Sequence, residues 1–129
     1  MSKYVLDSWA WIEYFEGSSK AEKIREILSD SRSEIYTHCV SVAEIMSKAK
    51  RAGKDIESVW AAIVSNSSII EATVEDSRNV GITHAITKSK YKNFSLADAF
   101  VLATARKLNA RIITGDLDFK NLDEAILLK

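Results

Sequence analysis

Two aspartates stand at the ends of apolar, strand-like runs that lie more than a hundred residues apart. Asp7 follows residues 4–6, and Asp116 follows residues 112–115. Open α/β sheets build their sites outside the carboxyl ends of the strands, so two parallel strands would bring both carboxylates to the same edge. Clustered carboxylates repel one another unless a cation holds them. The pair therefore indicates a site for a hard, oxygen-binding metal ion.

Two further carboxylates, Glu44 and Asp98, lie near the beginnings of predicted helices. The segment around Asp98 is apolar nearly all round, and no basic residue falls within one turn of it. A carboxylate buried in such a helix needs a cation or several hydrogen-bond donors. Because all four candidate ligands are oxygens, the set favours Mg²⁺ or Mn²⁺ over zinc or copper. Three neighbours are candidates to orient ligands or waters: Ser8, Thr114 and Asp118.

The same acids have a purely structural interpretation. Asp7 and Asp116 each precede a predicted helical turn, where an aspartate commonly serves as the N-cap. Residues 41–44 fit a capping box, and residues 95–98 resemble one with aspartate in place of glutamate. The glutamate of the first box also has Lys48 one turn later as a partner for an ion pair. Taken singly, each acid is explained by local helix chemistry.

The elements that must position these acids alternate along the chain. Helices interleaved with short apolar strands predict an α/β fold, a three-layer α/β/α sandwich around a mainly parallel sheet, with residues 1–129 forming a single domain. The predicted strands are Lys3–Leu6, Glu34–Thr37, Ser68–Ala72, Arg111–Thr114 and Ala125–Leu128. The predicted helices are Trp9–Glu16, Lys20–Ser29, Val42–Ala52, Ile56–Ser65, Glu75–Ser89 and Leu96–Leu108.

Composition restricts the class of protein. The single cysteine, Cys39, excludes an internal disulfide, and a reducing, cytoplasmic location is expected. No apolar stretch approaches the length of a membrane span, so no membrane association is expected. The 18 basic and 18 acidic residues give no net charge, so a polyanion such as RNA would have to be held by local patches. Two patches are candidates for weak RNA contacts: Lys48, Lys50, Arg51 and Lys54, and Lys88, Lys90 and Lys92 around Tyr91.

An aromatic cluster follows the first acid and invites interpretation as a base-stacking platform. Its members are Trp9, Trp11, Tyr14 and Phe15. The three- and four-residue spacings from Trp11 match one helical stripe, which favours packing in the core or at a subunit interface over contact with RNA. The two histidines, His38 and His84, lie outside the acidic motifs and are expected to be structural.

The order and context of the four acids resemble the PIN-domain family. Residues 4–8 resemble its opening strand and first acid, and residues 42–45 its glutamate helix. Residues 95–105 resemble the helix of its third acid, and residues 114–119 its last acidic loop. Each motif is short, but all four occur in order over nearly the whole chain. The size of the chain is similar to that of the VapC-type toxins of prokaryotic toxin–antitoxin pairs.

The resemblance implies a metal-dependent endoribonuclease that leaves a 5′-phosphate and a 3′-hydroxyl. The family's four acids correspond to Asp7, Glu44, Asp98 and Asp116, and none of them is substituted. The resemblance also implies a homodimer and a cognate VapB-like antitoxin that fills the active-site groove.

Two alternatives remain open at this point. The chain is either a toxin or an RNA-processing nuclease of the same kind without an antitoxin. Alternatively, it is not an enzyme but a non-catalytic α/β module that docks a partner protein, with the acids serving only as helix caps. A metal-dependent phosphatase of the haloacid-dehalogenase type fits poorly, because the second aspartate that it requires is replaced by Trp9.

Overall fold

The computed structural model describes residues 2–128 and shows one parallel sheet with α-helices on both faces. The strands are β1 Ser2–Leu6, β2 Ser33–His38, β3 Ser68–Ile70, β4 Arg111–Thr114 and β5 Ala125–Leu127. The helices are α1 Ser8–Glu16, α2 Ala21–Ser29, α3 Cys39–Arg51, α4 Ile56–Asn66, α5 Val74–Lys88 and α6 Leu96–Leu108. A 3₁₀ turn, Leu117–Phe119, lies between β4 and β5. Within these residues, no helix has the length and apolar character needed to cross a membrane.

Alternate residues of the central strands feed two separate cores. Leu6 and Ile113 pack with α1, α3 and α4 on one face of the sheet. Their neighbours Val5 and Ile112 pack with α6 on the other face. Successive side chains of a strand point to opposite faces, so an apolar run in a central strand serves both cores. The three-layer α/β/α prediction is confirmed, and every strand pair is parallel.

The strand order brings the ends of β1 and β4, which precede Asp7 and Asp116, to one crevice. The order is β3-β2-β1-β4-β5, so the first three strands extend the sheet in one direction from β1 and the last two in the other. The β1–β4 boundary is thus a switch point, and ligands of open α/β sheets bind at the carboxyl side of such a point. Leu6 pairs with Ile113, so Asp7 follows beside Thr114.

Helix α3 begins earlier than its sequence pattern indicates. We expected a start at Val42 with a capping box over residues 41–44, but the helix begins at Cys39. His38 is the N-cap, and its Nδ1 accepts a 3.1 Å hydrogen bond from the backbone N–H of Val40. Ser41 is buried inside the first turn, where its hydroxyl has no partner among the described residues. The predicted box is therefore wrong, because a histidine takes the role that a serine, aspartate or asparagine usually performs.

Strand β3 is shorter than predicted and ends at Ile70 rather than Ala72. Its only ladder partner in the described sheet is β2, in which the last pair joins His38 to Ile70. Because β2 turns directly into α3 at that point, residues 71–72 have no strand to pair with. The backbone leaves the sheet and enters α5, where Thr73 serves as the N-cap.

Candidate metal centre

Asp7 follows β1 directly and is the most buried of the four predicted acids, with 4% of its surface exposed. One carboxylate oxygen caps α1 by accepting a 2.9 Å hydrogen bond from the backbone N–H of Ala10. The other accepts a hydrogen bond from the hydroxyl of Thr114. Burial, with smaller contributions from the charges of Asp116 and Asp98, raises the pKa of Asp7 from 3.8 to about 7. Asp7 therefore requires a nearby positive charge to be fully ionised at neutral pH.

Thr114, the last residue of β4, connects the acids of two strands. Its hydroxyl donates to Asp7 and accepts a 3.0 Å hydrogen bond from the backbone N–H of Asp116. Asp116 caps the 3₁₀ turn by accepting a 2.9 Å hydrogen bond from the backbone N–H of Asp118. One buried hydroxyl therefore sets the position of the loop that carries the last two acids relative to the first acid.

Asp98 lies in the first turn of α6 and belongs to a complete capping box. Its carboxylate accepts a 2.9 Å hydrogen bond from the backbone N–H of Ser95, and the Ser95 hydroxyl accepts one of 3.0 Å from the backbone N–H of Asp98. The helix beyond it is as buried as its sequence indicates, but Asp98 itself is half-buried. Burial, the largest cause, and the charges of Asp116 and Asp118 raise the pKa of Asp98. Capping and a functional role therefore coexist in this residue.

Three carboxylates form a tight group. One oxygen from each of Asp98, Asp116 and Asp118 lies within 4.8 Å of the others. The sequence indicated only an orienting role for Asp118, whereas the 3₁₀ turn places it beside two of the predicted ligands. Burial, together with Asp116, raises the pKa of Asp118. We therefore regard Asp118 as a candidate ligand in its own right.

Glu44 lies on α3 outside the group of three carboxylates, and it lines a cleft together with Asp116. Partial burial is the largest influence on the Glu44 carboxylate and raises its pKa, and the charge of Asp98 adds to this rise. A hydrogen bond with the Ser8 side chain lowers the pKa and so opposes the shift. The cleft is lined by Ser8, Trp9, Glu44, Lys48, Arg51 and Asp116, among others. The ion pair that the sequence offered between Glu44 and Lys48 is not formed within the described residues.

The donor set fits a hard divalent cation. Every candidate ligand is a carboxylate, and oxygen-only sets are typical of Mg²⁺ and Mn²⁺. Burial raises the pKa of Asp7, Glu44 and Asp98, and neighbouring acids add to each shift. A bound cation would relieve this repulsion, so the residues present suit such an ion.

Of the residues predicted to contact RNA, only Lys48 and Arg51 line the cleft that contains Glu44 and Asp116. Lys48 and Arg51 lie in the acidic cleft, whereas Lys50 is exposed and is not part of its lining. Lys90 and Tyr91 line another pocket that contains none of the four acids. The ammonium of Lys88 donates a 2.9 Å hydrogen bond to the backbone carbonyl of Lys92. Lys54 lines a small apolar pocket.

The aromatic cluster separates in the same way. Trp11 is fully buried and stacks on Phe15, and Tyr14 meets both rings edge-on. The packing interpretation is confirmed for these three side chains. Trp9 also packs against this core, and in addition it lines the acidic cleft, a second position that sequence reasoning missed. The available signal was its place two residues after the first acid, in the first turn of α1.

Both histidines have structural roles, as expected. His38 caps α3 and stacks on Phe100 with 4.9 Å between the ring centroids. His84 lies 3.1 Å from the carbonyl oxygen of Phe94 through its Nε2. Neither histidine belongs to the carboxylate group.

Comparison with known proteins identifies the family. The family model described as PIN domain matches residues 4–125. The chain belongs to the PIN domain family. The resemblance to this family is thereby confirmed, and the sheet and helices are those of a PIN fold. No curated protein matches the sequence.

Solved structures similar to this PIN domain include toxin–antitoxin proteins. VapC20 of Mycobacterium tuberculosis, a sarcin–ricin loop cleaving toxin, superposes with a TM-score of 0.78 at 13% identity, covering 98% of this chain and 99% of that one. VapBC2 of Rickettsia felis, bound to a promoter DNA fragment, gives 0.74 at 18% identity, covering 97% and 96%. A toxin–antitoxin complex of Klebsiella pneumoniae gives 0.69 at 22% identity, covering 95% of both chains. At these identities the likeness shows the fold.

Proposed function

We propose that this PIN domain is an Mg²⁺- or Mn²⁺-dependent endoribonuclease and the toxin of a VapBC-type pair. The observation that carries the proposal is the carboxylate group at the β1–β4 switch point, held by the hydrogen bonds of Thr114 and the Ser95 capping box. Caps alone do not account for Asp7, Glu44 and Asp98, which come from separate elements and whose pKa values are raised by burial and further by neighbouring acids. Membership of the PIN family and the toxin-like fold support the same assignment.

In this proposal the residues divide the work by position. Asp7, Asp98 and Asp116 hold the metal, with Asp118 and Glu44 completing the set. A divalent ion held by these residues would lower the pKa of a bound water, so that it could act as the nucleophile, and would neutralise charge that develops on the phosphate. Thr114 keeps the first and last acids in register. Lys48 and Arg51, on the opposite wall of the cleft, bind the RNA backbone.

The proposed partners follow from the same assignment. The solved toxin–antitoxin complexes share this fold, so we propose a cognate VapB-like antitoxin as the inhibitor, together with a homodimeric assembly. A cytoplasmic location accords with RNA as the substrate. If the purified chain cleaves RNA but no antitoxin is encoded beside it, the RNA-processing alternative takes the place of the toxin role.

Cleavage of labelled single-stranded RNA by the purified chain tests the proposal. We expect cutting with Mn²⁺, none with Mn²⁺ plus EDTA, and a loss of at least a hundredfold in Asp98→Asn. Asp123→Asn is the matched control, because Asp123 is an exposed acid that lies outside the carboxylate group. Cutting that survives EDTA, or that is equal in the two variants, would contradict the proposed metal centre.

A further inference from the structure

Trp9 packs against the core and at the same time lines the acidic cleft. In the described part of the chain, it is the only aromatic residue among those that line the acidic cleft. The other aromatic side chains of α1 do not line this cleft: Trp11 is buried, and Tyr14 and Phe15 pack around it. Trp9 remains half-buried and faces the same space as Glu44.

The ring of Trp9 is tied to the loop that carries the last acid. Gly115 stands between Thr114 and Asp116, and the benzo ring of Trp9 lies against it. A Cβ at position 115 would be 2.2 Å from two ring atoms, far closer than any side chain allows. The absence of a side chain at this position therefore seats the indole directly beside the carboxylate group.

Basic residues lie over the indole and in the cleft that it lines. The ammonium of Lys20 lies over the ring, 5.4 Å from its centroid, a distance typical of a cation–π contact. Lys48 and Arg51 line the same cleft from α3. Proteins that bind single-stranded nucleic acid combine these two features, an aromatic face for a base and a basic track for the phosphates.

We propose that Trp9 is the stacking platform for one unpaired base next to the scissile phosphate, with Lys20, Lys48 and Arg51 binding the adjoining phosphates. The substrate class is therefore single-stranded or looped RNA, since a paired base has no free face to offer. The inference rests on the proposed nuclease function. In this inference, Trp9 selects the substrate by binding a base, although it is not a metal ligand.

Abasic scanning tests the stacking contact. A cleavable RNA is prepared as a series, each member lacking one base near the cut, and kcat and KM are measured with Mn²⁺. Wild type should lose about tenfold in kcat/KM at one position, a size typical of base–aromatic stacking. On intact RNA, Trp9→Leu should have a kcat/KM about tenfold below that of wild type, chiefly through a higher KM. Removing the base at the sensitive position should then lower the kcat/KM of this variant no further. Trp9→Phe keeps an aromatic ring and should regain most of the wild-type kcat/KM on intact RNA.

Two controls separate stacking from damage to the protein. Trp60→Leu removes an exposed tryptophan of α4 that does not line the cleft, and its abasic profile should match wild type. The rise in melting temperature on adding Mn²⁺ should be equal in wild type and Trp9→Leu, because the metal ligands are intact. If Trp9→Leu does not fold, Trp9→Phe carries the test, since its smaller ring should give a smaller abasic loss.

The outcomes distinguish the two proposals. An active wild type whose abasic profile is shared by Trp9→Leu would overturn the stacking inference and leave the nuclease intact. A folded wild type that cuts no RNA would overturn the proposed function and the inference with it. A penalty that appears in wild type and vanishes in Trp9→Leu supports both.

Discussion

At the scale of single residues, the protein places a carboxylate where water cannot solvate it. Asp7 has two hydrogen-bond donors, the Ala10 backbone N–H and the Thr114 hydroxyl, yet burial still raises its pKa from 3.8 to about 7. These two bonds favour the ionised form, and desolvation outweighs them. The folded protein without metal therefore stores unfavourable energy in Asp7 at neutral pH, which a cation would release.

Replacing Asp7 should show this cost as a pH dependence of stability. A raised pKa means that the folded state retains a proton that the unfolded chain has lost, so its contribution to stability is complete below pH 3.8 and is lost as pH rises through about 7. In EDTA, the stability of wild type relative to Asp7→Asn should fall by about 2–3 kcal/mol between pH 5 and pH 8, since one pKa unit corresponds to about 1.4 kcal/mol.

Urea denaturation at both pH values measures this difference. Mn²⁺ added at pH 8 should restore the stability of wild type and have little effect on Asp7→Asn, because the metal binds the folded state. Asparagine can still accept the capping bond from Ala10, so the comparison isolates the charge. A difference between the two proteins that does not change with pH would show that Asp7 ionises normally.

At the scale of elements, the candidate ligands Asp7, Asp98 and Asp116 lie at the starts of helical segments. Asp7, Ser95 and Asp116 are all N-caps, so the carboxylates take their positions from the backbone that they cap. Helix α3 differs, because His38 caps it and Ser41 is left with a buried hydroxyl that has no partner in residues 2–128. Two serines near helix starts thus have opposite energetic roles.

Matched alanine variants test that contrast. Ser95→Ala removes a cap and should lower the free energy of unfolding by about 1 kcal/mol. Ser41→Ala removes a buried, unpaired hydroxyl and should leave stability unchanged or raise it slightly. Chemical denaturation of both variants beside wild type measures the two effects. Equal losses would mean that Ser41 has a hydrogen bond after all.

The contact between α1 and the β4 loop is a second element-scale feature. Gly115→Ala would place a Cβ 2.2 Å from the Trp9 ring, so either the indole or the loop must move. Because Asp116 is the next residue, we expect a loss of about tenfold or more in Mn²⁺ affinity and in RNA cleavage, in line with what disturbance of supporting contacts costs a metal site.

Gly81→Ala provides the matched control for this contact. A Cβ at Gly81 meets nothing within 4 Å, and the position lies inside α5. This variant should be stabilised by up to about 1 kcal/mol, because alanine favours a helix interior over glycine, and its metal affinity should not change. Isothermal titration with Mn²⁺ compares the two. Unchanged affinity in Gly115→Ala would show that the loop tolerates the displacement of Trp9.

At the scale of the whole molecule, a chain without net charge must attract RNA through one surface. The 18 basic and 18 acidic residues cancel, so attraction comes from where the cations lie. Lys48 and Arg51 share a cleft with Glu44 and Asp116. Lys90 lines a different pocket, and Lys88 donates a hydrogen bond to a backbone carbonyl. The fold therefore favours the patch with Lys48 and Arg51 as the RNA-binding surface, although the two basic patches look equivalent in the sequence.

Charge reversal of each patch tests this ranking. Lys48→Glu with Arg51→Glu should weaken the binding of single-stranded RNA and reduce the slope of log K against log salt by about 1.4, or about 0.7 for each phosphate that the protein no longer neutralises. Lys88→Glu with Lys90→Glu makes the same change in net charge and should have a much smaller effect. Binding is measured by fluorescence anisotropy at several salt concentrations, with Ca²⁺ in place of Mn²⁺. Equal slopes in the two variants would contradict the assignment of the cleft as the RNA surface.

The amino-acid sequence by itself predicted the α/β class and most of the helices and strands. These follow from local rules: apolar periodicity separates strands from helices, and N-caps and capping boxes mark where most helices begin. Residues 41–44 misled because a serine and a glutamate at the right spacing satisfy the motif whether or not a helix begins there. The sequence could not reveal that β2 runs directly into α3, which leaves His38 as the cap.

Only the tertiary structure decided which side chains meet. The strand order β3-β2-β1-β4-β5 brings Asp7 beside Thr114, residues separated by 107 positions. The 3₁₀ turn places Asp118 within the carboxylate group, and Gly115 seats Trp9 beside the last acid. Such contacts depend on register, strand order and the space left by a missing side chain. Local periodicity cannot predict these features, because it shows which face of each helix or strand is apolar but not which other element that face meets.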